Sequence, residues 1–264
     1  MSTKIEQRPL EPGERALFGT SFLLFVVSVA GTIYWCGSMP VGMAMPGGWT
    51  MSMAWMKMPG QSRLGMIASF IGMWTVMMVA MMLPSLAPML ARYRRSVRMR
   101  DDTHLGKLTL LAGAGYLFVW GVFGAAAYPL GASLAATEMR WPALAQAVPI
   151  ATGAVLLLAG WVQLTTWKAR QLAQCREAPA CGHSLSADAW IACQHGLSLG
   201  IHCSLCCLSF MIILLATGVM NLGVMAVVAV AINVERLAPR PERVSRATGF
   251  VIITAAILML VRAL

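Results

Sequence analysis

Apolar residues along this chain fall into long unbroken runs separated by short polar stretches, the spacing of helices that cross a bilayer. Seven runs read as spans: residues 16–36, 64–90, 108–134, 145–167, 190–217, 222–237 and 248–264. The last is short and carries Arg262, so a tilted or interfacial placement, with six full crossings, is the alternative count. A polar segment over 168–189 precedes the fifth run, and a tight turn at 218–221 joins the fifth to the sixth. The pattern predicts an all-α, polytopic transmembrane helical bundle. Its parts would be a tail over 1–15 and a single helical domain over 16–264, with a methionine-rich loop over 37–62.

Charge then sets the expected orientation. Lys4, Arg8 and Arg15 share a side with Arg92, Arg94, Arg95, Arg98, Arg100 and Lys107, with the basic residues of 168–176, and with those of 236–246. The positive-inside rule makes that side cytoplasmic and predicts a multi-pass protein of the bacterial inner membrane with its N-terminus inside and its C-terminus outside. Trp35, Trp141, Trp167 and Trp190 stand near predicted span ends, where an aromatic belt belongs.

Composition agrees: 58% of residues are hydrophobic, 11% are charged, and mean hydropathy is +0.71. The net charge of +10 sits in short loops between apolar runs, which argues against nucleic acid as a partner. No small-residue cleavage site follows the first apolar run, so that run reads as a retained span. Seven cysteines, mostly in or near spans, argue against a secreted disulfide scaffold. The chain shows no internal repeat, P-loop or aspartyl-phosphate motif, which disfavours a secondary carrier or a lone primary pump.

The candidate chemistry is sulfur. Cys203, Cys206 and Cys207 stand at i, i+3 and i+4 in the fifth run, so a helix projects all three from one face, with Met211 near its edge. Soft ligands on one buried face suit Cu(I) most, with zinc or another soft metal as the open alternative; packing and thiol–disulfide exchange remain the competing uses. A disulfide between Cys203 and Cys206 would be strained within a helix. Met73, Met77, Met78, Met81 and Met82 form a second group on the second run, just before Pro84, where core packing by methionine is the plain alternative. Pro84 and Pro88 are expected to bend that helix and free carbonyls. Met39, Met43, Met45, Met51, Met53, Met56 and Met58 crowd the first outer loop, either as a low-affinity copper collector or as a segment dipping into lipid.

Weaker candidates surround these. Cys175, Cys181 and His183 lack zinc-finger spacing, and stand with Cys193 and His195 as a hand-off point or as reduced surface thiols. His202 lies off the cysteine face and reads as a hydrogen-bonded core histidine. Glu235, near the end of the sixth run, is expected to pair with a basic neighbour close to the interface. Gly196 and Gly200 would admit another helix closely.

Several segments carry a resemblance: WTVMMVAMMLPSLAP over 74–88, Gln163-Leu164-Thr165 with Lys168, Cys175-Arg176 with Pro179, GIHCSLCCLSFMIILLATGVMNLGVM over 200–225, and Glu235-Arg236. Over about residues 60–240 the chain resembles the bacterial family of predicted metal-binding integral membrane proteins, a domain of unknown function with a Cys-x-x-Cys-Cys transmembrane motif. The resemblance implies metal ligands at Cys203, Cys206, Cys207 and the methionines between 77 and 82. Relatives carry a cysteine where this chain has Gln171, a glycine at Leu205 and a tryptophan at Leu208, so Cys175 lacks that cysteine partner here. The reading is a membrane protein that handles Cu(I) without catalysis of its own. It would capture the metal on the methionine loop, in the same half of the membrane as the cysteine motif or above a motif near the midplane, and deliver it across the membrane or to a membrane copper enzyme or metallochaperone. A quinone-linked thiol–disulfide relay and an accessory subunit of a larger complex are the alternatives.

Overall fold

The computed structural model describes residues 12–39, 42–56, 62–98, 104–176 and 188–263. Eight helices carry nearly all of them: α1 (Pro12–Ser38), α2 (Arg63–Arg98), α3 (Leu105–Arg140), α4 (Pro142–Leu164), α5 (Thr166–Arg176), α6 (Ala189–Thr217), α7 (Leu222–Leu237) and α8 (Pro241–Ala263). Six of them, all but α5 and α7, are long and apolar enough to cross a membrane, so the protein is an all-α polytopic bundle. The region 222–237 is helical as expected, but its 16 residues rise only about 24 Å, short of a hydrocarbon core. The last helix is longer than expected, at 23 residues.

Three features depart from the hydropathy reading. The fourth apolar run does not continue to Trp167: the helix stops at Leu164, and Thr165 turns to extended backbone. The Thr165 hydroxyl accepts from the Lys168 backbone N–H at 3.3 Å, which caps a separate polar helix, α5, in a segment expected to be a loop. The methionine-rich loop folds into a small antiparallel hairpin, β1 (Met43–Met45) with β2 (Trp49–Met51), followed by a single 3-10 turn at Met53–Trp55. Its turn is possible because Gly47 and Gly48 take positive φ. Both Pro84 and Pro88 lie inside a helix that runs on continuously to Arg98.

Large apolar side chains such as Phe118, Leu130, Phe250 and Val261 face outward, as lipid-facing positions do. Inside, α3 packs along α6, α4 along α8, and α1 along α2. Without a hydrophobic driving force between helices in lipid, close backbone approach supplies the packing. Gly196 provides it: a Cβ there would stand 2.1 Å from the Ala112 carbonyl oxygen. Gly200 lies similarly against Val119 and Tyr116 of α3. The hairpin is anchored at one end of this bundle, where the Trp49 indole donates to the Ala145 carbonyl at 2.8 Å and Trp55 packs on Phe70 at 5.3 Å between ring centroids.

This packing yields a prediction. Gly196→Ala lowers stability in detergent by about 1–3 kcal/mol, through overpacking against backbone. Gly113→Ala, a position with nothing within 4 Å, leaves it unchanged. Thermal unfolding of the two variants checks the difference.

Candidate metal centre

The cysteine motif sits midway along α6. Three thiols repeat at i, i+3 and i+4, so the helix delivers them to one buried face, and all three are at most 2% exposed. Their sulfurs form a connected row: side-chain hydrogen bonds link Cys203 to Cys207, Cys207 to Cys206, and Cys206 to Cys175. Cys175 reaches the row because the break at Thr165 folds α5 back against α6. It is buried rather than a surface thiol, which corrects that reading. Cys175 lies beside Cys206, and its burial next to that sulfur favours the neutral thiol.

Around the row stands a set of polar groups, nearly all of them buried. The Arg236 guanidinium, on α7, donates to the Cys203 sulfur at 2.6 Å, to the Cys207 sulfur at 3.3 Å and to the Ser85 hydroxyl of α2 at 3.1 Å. The Tyr116 hydroxyl of α3 lies 2.9 Å from the same Cys203 sulfur. Lys168, 1% exposed, donates to the Cys206 carbonyl at 2.6 Å and pairs with Glu235 at 2.9 Å, whose other oxygen accepts from the Gln163 amide at 3.0 Å. Glu235 thus has the basic partner expected of it, deep in the protein rather than at an interface. Arg236 Nε, Gln171 Oε1 and Asn233 Oδ1 are buried without a hydrogen-bond partner. The same holds for His202 Nδ1, against the expectation of a hydrogen-bonded ring.

Of the two expected placements, the same half as the methionine loop or near the midplane, the motif's position midway along α6 agrees with the second. The hairpin's Trp55 is level with Phe70, whereas Arg236 meets Ser85, fifteen residues or about 22 Å further down α2. Gln163, which ties the site to α4, stands at the opposite end of that helix from Ala145, where the hairpin is fixed, and Lys168 follows in α5. Charged helix ends, not the outer loop, surround the cysteines.

Met211 follows Cys207 by one turn and is fully buried. Met73, Met77, Met78, Met81 and Met82 are all buried on α2, in the same continuous core as the cysteines. α2 packs chiefly on α1, α3 and α7, and Arg236 bridges its Ser85 to the cysteine row. The Met81 carbonyl accepts from Asn233 at 2.9 Å, which holds α7 against this stripe. Of the other candidates, Cys181, His183 and Met58 lie outside the described residues.

Tyr116 was not singled out from sequence, and Lys168 and Arg236 entered only through the resembling segments, not as members of the site. The available signal was ionisable residues bordering apolar runs, since such groups are expensive in a membrane and mark function. As for fit to a metal, no three His, Cys, Asp or Glu side chains among the described residues form a closed cage. The donors are instead a row of buried soft sulfurs beside a fixed positive charge, a set whose chemistry fits a soft metal such as copper.

Fold and site together define a polytopic membrane protein with a buried thiol centre of soft-metal character. The chain matches the family described as PpoB2, copper chaperone, over residues 71–259, and belongs to that family. The matched stretch takes in the stripe from 73 to 82, the cysteine row and its charged neighbours. No curated protein and no solved structure matches the chain.

The charged pair gives a second prediction. Lys168→Met leaves Glu235 buried without its partner and costs roughly 3–5 kcal/mol. Lys168→Met/Glu235→Gln recovers most of that loss in a double-mutant cycle. Chemical unfolding in detergent measures both.

Proposed function

We propose that this chain is an inner-membrane copper chaperone, N-terminus cytoplasmic, that holds Cu(I) on Cys203, Cys206 and Cys207 before passing it to a partner copper enzyme or metallochaperone. Cys175, Met211 and the methionines Met73, Met77, Met78, Met81 and Met82 contribute the surrounding soft donors. Membership of a copper-chaperone family supports the copper assignment.

The observation that carries the residue assignment is Arg236 on two thiols. Lys168 and Glu235 cancel as a pair, which leaves one uncompensated positive charge beside the sulfur row. The thiolates of Cys203 and Cys207, the two that Arg236 touches, sum with Cu(I) to one negative charge; with Cys206 present as a neutral thiol, Arg236 makes the whole neutral. A divalent ion on the same pair would leave a net positive charge in a low-dielectric site, which is costly. Thiol deprotonation on metal binding, otherwise opposed by burial, is likewise favoured by the guanidinium.

A thiol–disulfide relay has one observation in its favour. Cys175 and Cys206 belong to different helices and touch, so the strain that disfavours a bridge within α6 does not apply to them.

Metal analysis separates the two. Wild-type protein purified from copper-supplemented cells carries about one copper per chain, and Cys203→Ser/Cys206→Ser/Cys207→Ser loses at least about nine-tenths of it, as removal of soft ligands requires. Equal copper in both would sink the chaperone reading, and thiol trapping of a Cys175–Cys206 bridge in the wild type would put the relay in its place.

A further inference from the structure

At the hairpin end of the bundle is a cleft of about 210 Å³ that the cysteine site does not use. Five of its ten lining residues are methionines, brought from three separate segments: Met39 just past α1, Met53 and Met56 from the 3-10 turn, and Met66 and Met73 from α2. No charged side chain is among the lining residues. Beside it, Cys36 donates to the Met220 sulfur at 3.7 Å.

The hairpin sorts the methionines of this segment by role. Met51 is 2% exposed and fills space, as methionine does in any irregular core. Met43 is 41% exposed and faces outward. Met39, Met53 and Met56 do neither: they are half-buried around open volume. Thioethers used as packing would close that volume, because protein interiors leave few voids larger than a water molecule. Thioethers left around it present several neutral soft donors to a single small guest.

We propose that this cleft is a second Cu(I) site, the one at which the metal is loaded, and that it feeds the cysteine row. The inference rests on the copper-handling reading. Neutral thioethers give Cu(I) no charge compensation, so binding there is weaker than at the thiolates, which suits capture and onward release. A route leads inward from it. Met73 belongs both to the cleft and to the stripe Met73, Met77, Met81, whose members are one turn, about 6 Å, apart along α2. The next residue on that stripe is Ser85, which accepts from Arg236, and Arg236 touches Cys203 and Cys207. Soft donors therefore descend from the cleft toward tighter, anionic ones.

The test uses the full chain in detergent with Ag(I), a redox-inert stand-in for Cu(I), and with Cu(I) under reductant. In the Cys203→Ser/Cys206→Ser/Cys207→Ser background, the protein retains weak binding of about one ion per chain. Adding Met53→Leu, Met56→Leu and Met66→Leu lowers that affinity at least about tenfold, since leucine keeps volume and apolarity but supplies no donor. With the cysteines intact, the same leucine substitutions leave final copper content unchanged and slow its loading about tenfold, the share of the rate the capture step supplies. Unchanged melting temperature shows that the leucine variant is folded. The proposal is overturned if the triple-serine protein binds no Ag(I), if the leucine substitutions leave its binding unchanged, or if they leave loading at the wild-type rate. Failure of the cysteine reading shows elsewhere, as wild-type copper content that survives loss of the three cysteines.

Discussion

A guanidinium held on two thiols inside a membrane bundle is the contact on which the rest of this structure turns. Arg236 is 3% exposed, and a charge placed there must find compensation within the protein. Cys203, Cys207, Ser85 and Tyr116 cluster about it from three other helices. The neighbouring ion pair of Lys168 and Glu235 is balanced within itself. Under the proposed function, two thiolates carrying a monovalent metal would complete the charge of this site. Electrostatics and ligand softness would then favour the same ion.

The architecture serves this site through departures from regular spanning helices. The break at Thr165 ends α4 early and starts α5, which brings Lys168 and Cys175 to the cysteine row. The 16-residue α7 stops at the depth of the motif, so its last turn places Glu235 and Arg236 inside the protein. Gly218, with φ of +112°, and Asn221, whose side chain caps α7, make the turn that sets this register. A full-length span in place of α7 would carry Arg236 past the cysteines. At the other end, the hairpin and the start of α2 build a methionine cleft about 22 Å away along the helix. The two sulfur-rich ends differ in charge: charged side chains stand around the cysteines, and none is among the residues lining the cleft.

Much of this was legible from residue pattern. Long apolar runs located every spanning helix, and the i, i+3, i+4 spacing put Cys203, Cys206 and Cys207 on one face. Gly196 was expected to admit a neighbouring helix, and α3 lies there. The setting of the motif was not legible, because it depends on which helix ends meet. Hydropathy averages over a window, so it cannot see a single threonine cap and ran the fourth helix through Thr165. The same averaging counted α7 as a crossing, although its 16 residues rise only about 24 Å. Cys175 looked isolated because its partner, Cys206, lies on another helix, 31 positions later. The methionine loop looked uniform in sequence, and only the hairpin divides its members between packing, the outer surface and a cleft.

The central claim is that Arg236 sets the charge of the metal this protein accepts. Competitive binding of Cu(I) and Zn²⁺ to wild-type protein and to Arg236→Gln tests it most directly. Loss of the guanidinium should weaken Cu(I) at least about tenfold while leaving Zn²⁺ affinity equal or stronger, so that the preference for the monovalent ion shrinks by that factor or more. An unchanged ratio of the two affinities, in a variant that still folds, would contradict the account.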